Sequence, residues 1–309
     1  MSTDVARRGT TSGRDTTEFP SSGINSTVVD EYGMDSLIAE AVREHEYGGV
    51  AKPTIRGVDL RKGTGIYFRQ TRVGKTEAEF VDEESGPLQW QRYELSDLQI
   101  RTQRCQVSHA ITHEDKTRLN PDVIAQMGPG MGDSINRLED ITIIQAMSTT
   151  QRSVGDAGDI ISVADLQDAL TYISGGTGNP SMPPYSALAR AEVYNDFVQE
   201  IGFQSLMQSE LSEGESARVF TTGMINMIGG VRVLKDDYIP VDGQGDADMY
   251  VYARDAFIHV QGIQLEKWNY DLHDVDGGLT VMGCTYSFGV HSDVLHWAQT
   301  LFGDATLPS

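Results

Sequence analysis

Between Met131 and Thr149 the sequence repeats apolar side chains every three or four residues: Met131, Ile135, Leu138, Ile141, Ile144 and Met147. That spacing predicts an amphipathic helix with one face that needs cover along its whole length. At 1.5 Å per residue it is a rod about 28 Å long. A shorter helical piece precedes it, with Asn120 as N-cap and Pro121 in the first turn, running to Met127. Gly128-Pro129-Gly130 is expected to break or bend the join. A rod of this kind needs sheets or other helices laid along it, and the flanking sequence supplies both.

Upstream, residues 1–30 are rich in Ser, Thr, Gly and Asp and read as an extended arm. Asp35 to Glu46 places Leu37, Ile38, Ala41 and Val42 at helical spacing, and Gly48, Gly49 and Pro53 end that short helix. Residues 55–112 read as β-structure. Ile66 and Phe68, then Leu98 and Ile100, alternate with polar residues around a long polar stretch from Gln70 to Gln91. The expectation is a two-stranded hairpin with a large polar tip, which is marginal in water unless something covers it.

Downstream, Gly155 to Asp159 separates the rod from the next unit. Ser162 caps a helix with Val163, Leu166, Ala169, Leu170 and Ile173 on one face. A Gly- and Pro-rich turn from Gly175 to Pro184 leads to a strand, Ala187–Val193, and a helix, Val193–Met207, with Val193, Phe197, Ile201 and Leu206 inward. Met224 to Val233 reads as strand, Gly-Gly turn, strand. Residues 250–290 read as long strands joined at Asp274–Gly278, and Val294 to Phe302 as a short helix carrying Trp297. No internal repeat occurs, and the class is α+β.

Charge narrows the function. The net charge is −21, with 27 Asp and 18 Glu against 18 Arg and only 6 Lys. A surface this acidic does not grip nucleic acid or an anionic membrane, both of which need clustered cations. The uncharged apolar run Val219–Val231 is shorter than the roughly 20 residues that span a bilayer, and Met1–Pro20 has no apolar signal-peptide core. Acid in excess with lysine nearly removed reads as adaptation to high salt, where a Debye length of roughly 3 Å at 1 M screens self-repulsion. Residues 55–104 hold 9 basic and 8 acidic side chains, whereas 105–309 hold 10 and 28. A near-neutral segment on an acidic chain suits contact with an acidic neighbour.

Motifs for chemistry fail one by one. Val73-Gly74-Lys75-Thr76 resembles the end of a phosphate loop, but Arg69 stands where its first Gly is required. His109 and His113 lack the Glu that follows the first His of a zinc protease, and read as strand residues. In Asp271–Gly278, a calcium-loop alignment puts Leu272 and Gly283 where acids belong, so an Asp-Gly turn is expected. Asp242, Asp246 and Asp248 read as solvated loop acids or a weak cation site. Cys105 and Cys284 read as buried reduced thiols, and the Asn25-Ser-Thr27 sequon has no signal peptide to give it weight. No catalytic, cofactor-binding or metal-binding residue is assigned, and a non-enzymatic role by assembly is expected.

The order of elements carries a resemblance: arm, loose-tipped hairpin, rod helix, a Gly/Pro-rich α+β unit, long closing strands. Its most specific stretch is Ala189–Pro240. This opens Ala189-Arg-Ala-Glu-Val-Tyr-Asn-Asp-Phe197, passes Gly223-(x)5-Gly229-Gly230-Val231-Arg232-Val233, and ends Asp236-Asp237-Tyr238-Ile239-Pro240. Ala256-Phe257 and Gly283-Cys-Thr-Tyr-Ser-Phe-Gly289 fit as well. Over its whole length the chain resembles the major capsid proteins of tailed viruses, the Hong Kong 97-type fold. The resemblance implies an N-terminal arm with a short helix (1–54), an E-loop hairpin (55–112), a P-domain with the spine helix (113–154), an A-domain (155–250), and strands returning to the P-domain (251–309).

It further implies homo-hexamers and homo-pentamers that close an icosahedral shell around double-stranded DNA without binding it specifically. Location in a virion capsid, assembly in the host cytoplasm, a portal, and minor capsid or cement proteins follow. No membrane or cofactor is implied. The short stretch before the hairpin resembles members with a separate scaffolding protein. The Lys–Asn cross-link of the namesake is not carried over, because Lys75 has no identifiable partner. With the charge, the source expected is a tailed virus of a halophilic archaeon. An encapsulin-like nanocompartment shell shares the fold and is the alternative.

Overall fold

The computed structural model describes residues 49–60, 65–73, 95–112, 121–150, 152–176, 180–207, 227–272 and 278–306. The expected helix at Asp35–Glu46, the stretch from Gly74 to Glu94, His113 and the Asn25 sequon lie outside them.

The first four strands are β1 (Arg56–Asp59), β2 (Tyr67–Val73), β3 (Leu95–Arg101) and β4 (Gln103–Thr112). The rod is α1 (Pro121–Met147). Then come β5 (Arg152–Val154), α2 (Val163–Thr171), β6 (Tyr185–Ala189), α3 (Ala191–Met207), β7 (Met227–Ile228), β8 (Val231–Lys235) and β9 (Asp246–Ala253). The last three are β10 (Phe257–Leu272), β11 (Leu279–Ser292) and β12 (Ala298–Asp304).

Two sheets share α1. One has the order β1-β10-β11-β4, and its centre is the antiparallel β10–β11 pair, in register from Phe257↔Ser292 to Leu272↔Leu279 with irregularities between Gln261 and Glu266. The other has six strands, β5-β12-β9-β6-β8-β7. Strands β2 and β3 pair only with each other. Their inward face, Phe68 with Ile100 and Gln70 with Leu98, lies on Ile258, Val260, Val58 and Leu60. Tyr67, Arg69, Thr71, Asp97, Gln99 and Arg101 face outward. The hairpin is thus narrower than residues 55–112, since β1 and β4 are edges of the four-stranded sheet.

Helix α1 corrects the sequence reading in two ways. It is one 27-residue helix, about 40 Å long, that runs through Pro129. Proline removes its own N–H from the ladder and its ring crowds the carbonyl four residues back, yet the helix continues without a break. The buried stripe also differs from the predicted one. Leu138 is 45% exposed and Ile141 only half-buried, while Ile143 is fully buried. Buried neighbours recur in pairs four apart: Met131 and Gly132, Ile135 and Asn136, Glu139 and Asp140, Ile143 and Ile144, then Met147.

Four residues exceed one turn by about 40°, so from Met131 to Met147 the buried stripe winds about 160° round the helix. This winding lets one helix serve two cores. Met131 and Ile135 pack with Ile111, Met282, Cys284, Tyr286 and Phe288 of the four-stranded sheet. Ile143, Ile144 and Met147 join the core of the six-stranded sheet with α2 and α3. The acids Glu139 and Asp140 lie at the crossover.

Local signals behave as their chemistry demands. Ser162 caps α2 with a complete capping box, its hydroxyl accepting from the Asp165 N–H while the Asp165 carboxylate accepts from Ser162 N–H. Leu166, Ala169 and Ile173 are buried on the predicted face. The Gly229-Gly230 turn joins β7 to β8 with φ of 56° and 89°, a geometry that favours glycine. Strand β6 ends at Ala189 and α3 begins at Ala191, two residues before the sequence reading. Val193 and Phe197 are buried in it. The predicted helix at Val294–Phe302 is instead a tight turn, Leu295–Trp297, followed by β12, which pairs with β9 from Ala298↔Tyr252 to Asp304↔Asp246. Its segment alternates too little to betray a strand buried on both faces.

Ile143→Ala should lower stability in chemical denaturation by about 3 kcal/mol, the range of a buried large-to-small change. Leu138→Ala should lower it by less than about 1 kcal/mol. The stripe read from sequence alone predicts a larger loss at Leu138.

Candidate assembly junction

At the crossover of α1, two adjacent carboxylates are buried and face the segment that enters from the N-terminal side. Asp140 accepts two backbone N–H groups with its two oxygens, Val50 at 3.1 Å and Ala51 at 3.2 Å. Gly49, at φ 84°, brings the chain close over it. A 3-10 turn follows at Lys52–Thr54. Thr54 Oγ1 donates to Ala51 O at 2.6 Å and shares a hydrogen bond with the Tyr252 hydroxyl of β9. Ala51 and Ile55 sink into the six-stranded core. The helix therefore holds the entering strand by its backbone rather than by side-chain shape.

Glu139 points into the four-stranded sheet. The Tyr286 hydroxyl of β11 donates to its Oε1 at 2.8 Å. Lys52 Nζ donates to Oε2 at 3.3 Å and to the Tyr286 hydroxyl at 3.3 Å, and lies 5.3 Å from the centroid of the Tyr286 ring. His259 of β10 stands with Nε2 2.6 Å from Glu139 Oε1, off a hydrogen-bonding line, and stacks on Phe288. Burial, then the nearby Glu139 charge, pushes the Tyr286 hydroxyl well above its ordinary range and the Cys105 thiol up to about 11. Both cysteines are free, Cys284 buried and Cys105 half-buried. Cys105 is a poor nucleophile in this setting.

A third acid closes the junction. Asp236 follows β8, donates its N–H to Ala189 O at 2.9 Å and accepts Tyr238 N–H on Oδ1 at 3.0 Å. Its Oδ2 is buried without a hydrogen-bond partner. Burial, reinforced by the charges of Asp140 and Asp237, pushes its carboxyl up to about 6. Burial also raises Asp140, opposed by its two backbone N–H donors. The adjoining Asp237–Ile239 segment is tied down by Arg190, which donates to Ile239 O at 2.9 Å, and by Arg137 of α1, 5.5 Å from the Tyr238 ring centroid.

This cluster contains ionisable groups of several kinds, and apart from Asp236 Oδ2 and His259 Nε2 the polar atoms named above are committed to hydrogen bonds within the fold. A cavity of about 340 Å³ lies elsewhere, lined by Val154, Gly155, Asp159, Asp165 and Phe302 among others, and holds none of the junction residues.

The motifs tested in the sequence stay apart. His109 is exposed on β4. Asp271 is the last residue but one of β10, and Gly278, at φ 66°, follows a stretch outside the described residues. Of the acids at 242–248, Asp242 is exposed in a turn, where it accepts from Gln244 and Asp246 N–H groups, whereas Asp246 and Asp248 lie on β9 and buried Asp246 accepts from Gly158 N–H at 3.0 Å. Among the described residues no group of three or more His, Cys, Asp or Glu could hold a metal ion, and no helix is long and apolar enough to cross a membrane. Sequence reasoning missed the junction itself. The available signal was that Glu139 and Asp140 interrupt the four-residue repeat between Ile135 and Ile143.

Asp140→Ala should destabilise by roughly 2–4 kcal/mol, because two buried N–H donors lose their acceptor. Asp140→Asn should lose less, and thermal melts of the two variants measure the difference. The raised carboxyl of Asp236 binds more protons folded than unfolded between about pH 4 and 6, so its contribution to stability falls as pH rises through that window. Asp236→Asn keeps the acceptor for Tyr238 and removes the buried charge. It should raise stability at pH 7 by on the order of 2–3 kcal/mol and flatten the pH 4–6 slope.

No family model matches the sequence, and no curated protein matches it. Solved structures do. The capsid of cyanophage P-SCSP1u superposes with a TM-score of 0.62 at 12% identity, over 84% of this chain and 89% of that one. The head of Helicobacter pylori bacteriophage KHP40 gives 0.61 at 13% identity, over 84% and 89%. A virus-like particle from Pyrococcus furiosus gives 0.54 at 11% identity, over 86% and 98%. The chain has the Hong Kong 97-type fold seen in tailed-phage capsids.

Proposed function

We propose that this chain is the major capsid protein of a tailed virus, a non-enzymatic subunit that assembles as hexamers and pentamers into an icosahedral shell around double-stranded DNA. The carrying observation is that phage capsid structures superpose over 84% of the chain, which contains a long helix, two large sheets and a separate two-stranded hairpin. In this reading residues 1–54 are the arm, and the Lys52–Thr54 turn is where it meets the body. The β2–β3 hairpin reaches a neighbouring copy, to which it presents Arg69 and Arg101 on its outward face. Residues 113–154 form the spine, 155–250 the A-domain, and 251–309 return to the P-domain. A separate scaffolding protein, a portal and minor or cement proteins complete the particle, which forms in the host cytoplasm. The acidic body suits enclosed DNA that must slide without sticking, and the Lys-poor charge suits a salt-rich host.

Electron microscopy of the purified protein in molar and in dilute salt tests both parts. Closed polyhedral particles in molar salt that fall apart on dilution are expected. Particles indifferent to salt remove the salt adaptation, and small uniform oligomers in every buffer count against the shell. Particles recovered from the source that hold protein instead of DNA indicate a nanocompartment. Val73 pairs with Leu95, so deleting residues 75–93 leaves Gly74-Glu94 as a two-residue turn. That deletion should give folded subunits that fail to make stable shells.

A further inference from the structure

The surface at the far end of α2 combines exposure with fixed geometry. The helix runs on into a wider turn, Tyr172–Gly176. Ser181 donates to the Ile173 carbonyl through both N–H (3.3 Å) and Oγ (3.0 Å), and Tyr185 OH donates to Ser181 O at 2.9 Å. Ile173 and Ser181 are buried, yet Tyr172 is 43% and Met182 82% exposed. The Leu295–Trp297 turn packs beside Tyr172–Gly176 and adds Leu295, 47% exposed. These apolar side chains are held outward by buried neighbours.

The patch is also free of charge. No Asp, Glu, Lys or Arg occurs from Ala169 to Ala189, nor from Val294 to Gly303, in a chain of net charge −21. Exposed Arg254 and Asp255 sit on the next turn, as part of a polar rim. Contiguous exposed apolar surface with a polar rim marks a protein contact. The charge pattern identifies the partner. A nucleic acid or an anionic membrane requires cations that the patch lacks. A basic protein would gain more on the acidic remainder. Salt screens the long-range repulsion between two copies of this acidic chain, but like charges that oppose each other directly at a contact still cost several kcal/mol. They meet with least repulsion where neither segment is charged.

We propose that Tyr172, Met182 and Leu295 form a contact through which one copy of this chain seats against a second copy. This rests on the shell reading and gives it a specific surface.

The test uses the full chain in molar salt. Met182→Asp combined with Leu295→Asp should keep the wild-type circular dichroism spectrum and melting temperature, yet cut particle yield in sedimentation at least tenfold. A folded variant that assembles like the wild type overturns the proposal. Should the double variant fail to fold, a benzophenone amino acid placed at 182 in the otherwise unchanged chain decides. On illumination it should yield a covalent dimer whose adduct maps to a second copy. Particles that form but give no such adduct overturn this surface and leave the shell standing. Adducts between copies in small oligomers, with no particles in any salt, keep the surface and sink the shell. A benzophenone-bearing chain that stays monomeric and gives no adduct sinks both.

Discussion

Two neighbouring acids in the middle of a helix hold this molecule at its seam. A carboxylate buried among apolar side chains is costly unless it is paired or hydrogen-bonded. Asp140 meets that requirement with backbone N–H groups of residues 50 and 51, and Glu139 with Lys52 and Tyr286. Because the partners are an entering backbone segment, itself tied to β9 through Thr54 and Tyr252, and Tyr286 of the four-stranded sheet, the requirement can be met only when all of them are in place. Removing one partner leaves an uncompensated charge, so the penalty itself enforces the arrangement. Hydrophobic packing alone tolerates a sliding helix; this seam does not.

The winding of the buried stripe explains why the acids sit where they do. A helix that turns its apolar face through about 160° must pass a point where it faces neither sheet squarely. There the helix is covered by the entering segment, residues 49–54, whose backbone lies directly over Asp140. Backbone N–H groups are the natural donors at such a place, and carboxylates the natural acceptors.

Much of the local structure was legible because it depends on neighbours in sequence. Ser162 with Asp165, and Gly229 with Gly230, announce their geometry through short-range chemistry that tertiary packing did not override. The illegible parts depend on partners far along the chain. Leu138 and Ile141 fit a helical repeat as well as Ile143 does, and only two differently placed sheets decide between them. Pro129 reads as a stop, but the helix continues through it, and no local pattern announces that. Residues 298–302 read as helix because β12 alternates poorly, and its identity as a strand is set by pairing with β9. The junction was hidden for the same reason: Lys52, Glu139, His259 and Tyr286 span more than two hundred residues, and no local pattern joins them.

One helix lies in both cores, and this has a thermodynamic consequence. Neither half of the subunit can melt while the other keeps its full set of contacts, because loss of α1 strips Met131 and Ile135 from one side and Ile143 and Met147 from the other. The two sheets behave as a single cooperative unit, with intermediate states disfavoured. Damage to a chain of this design is therefore all-or-none rather than graded: a lesion in either core is felt in the other through α1.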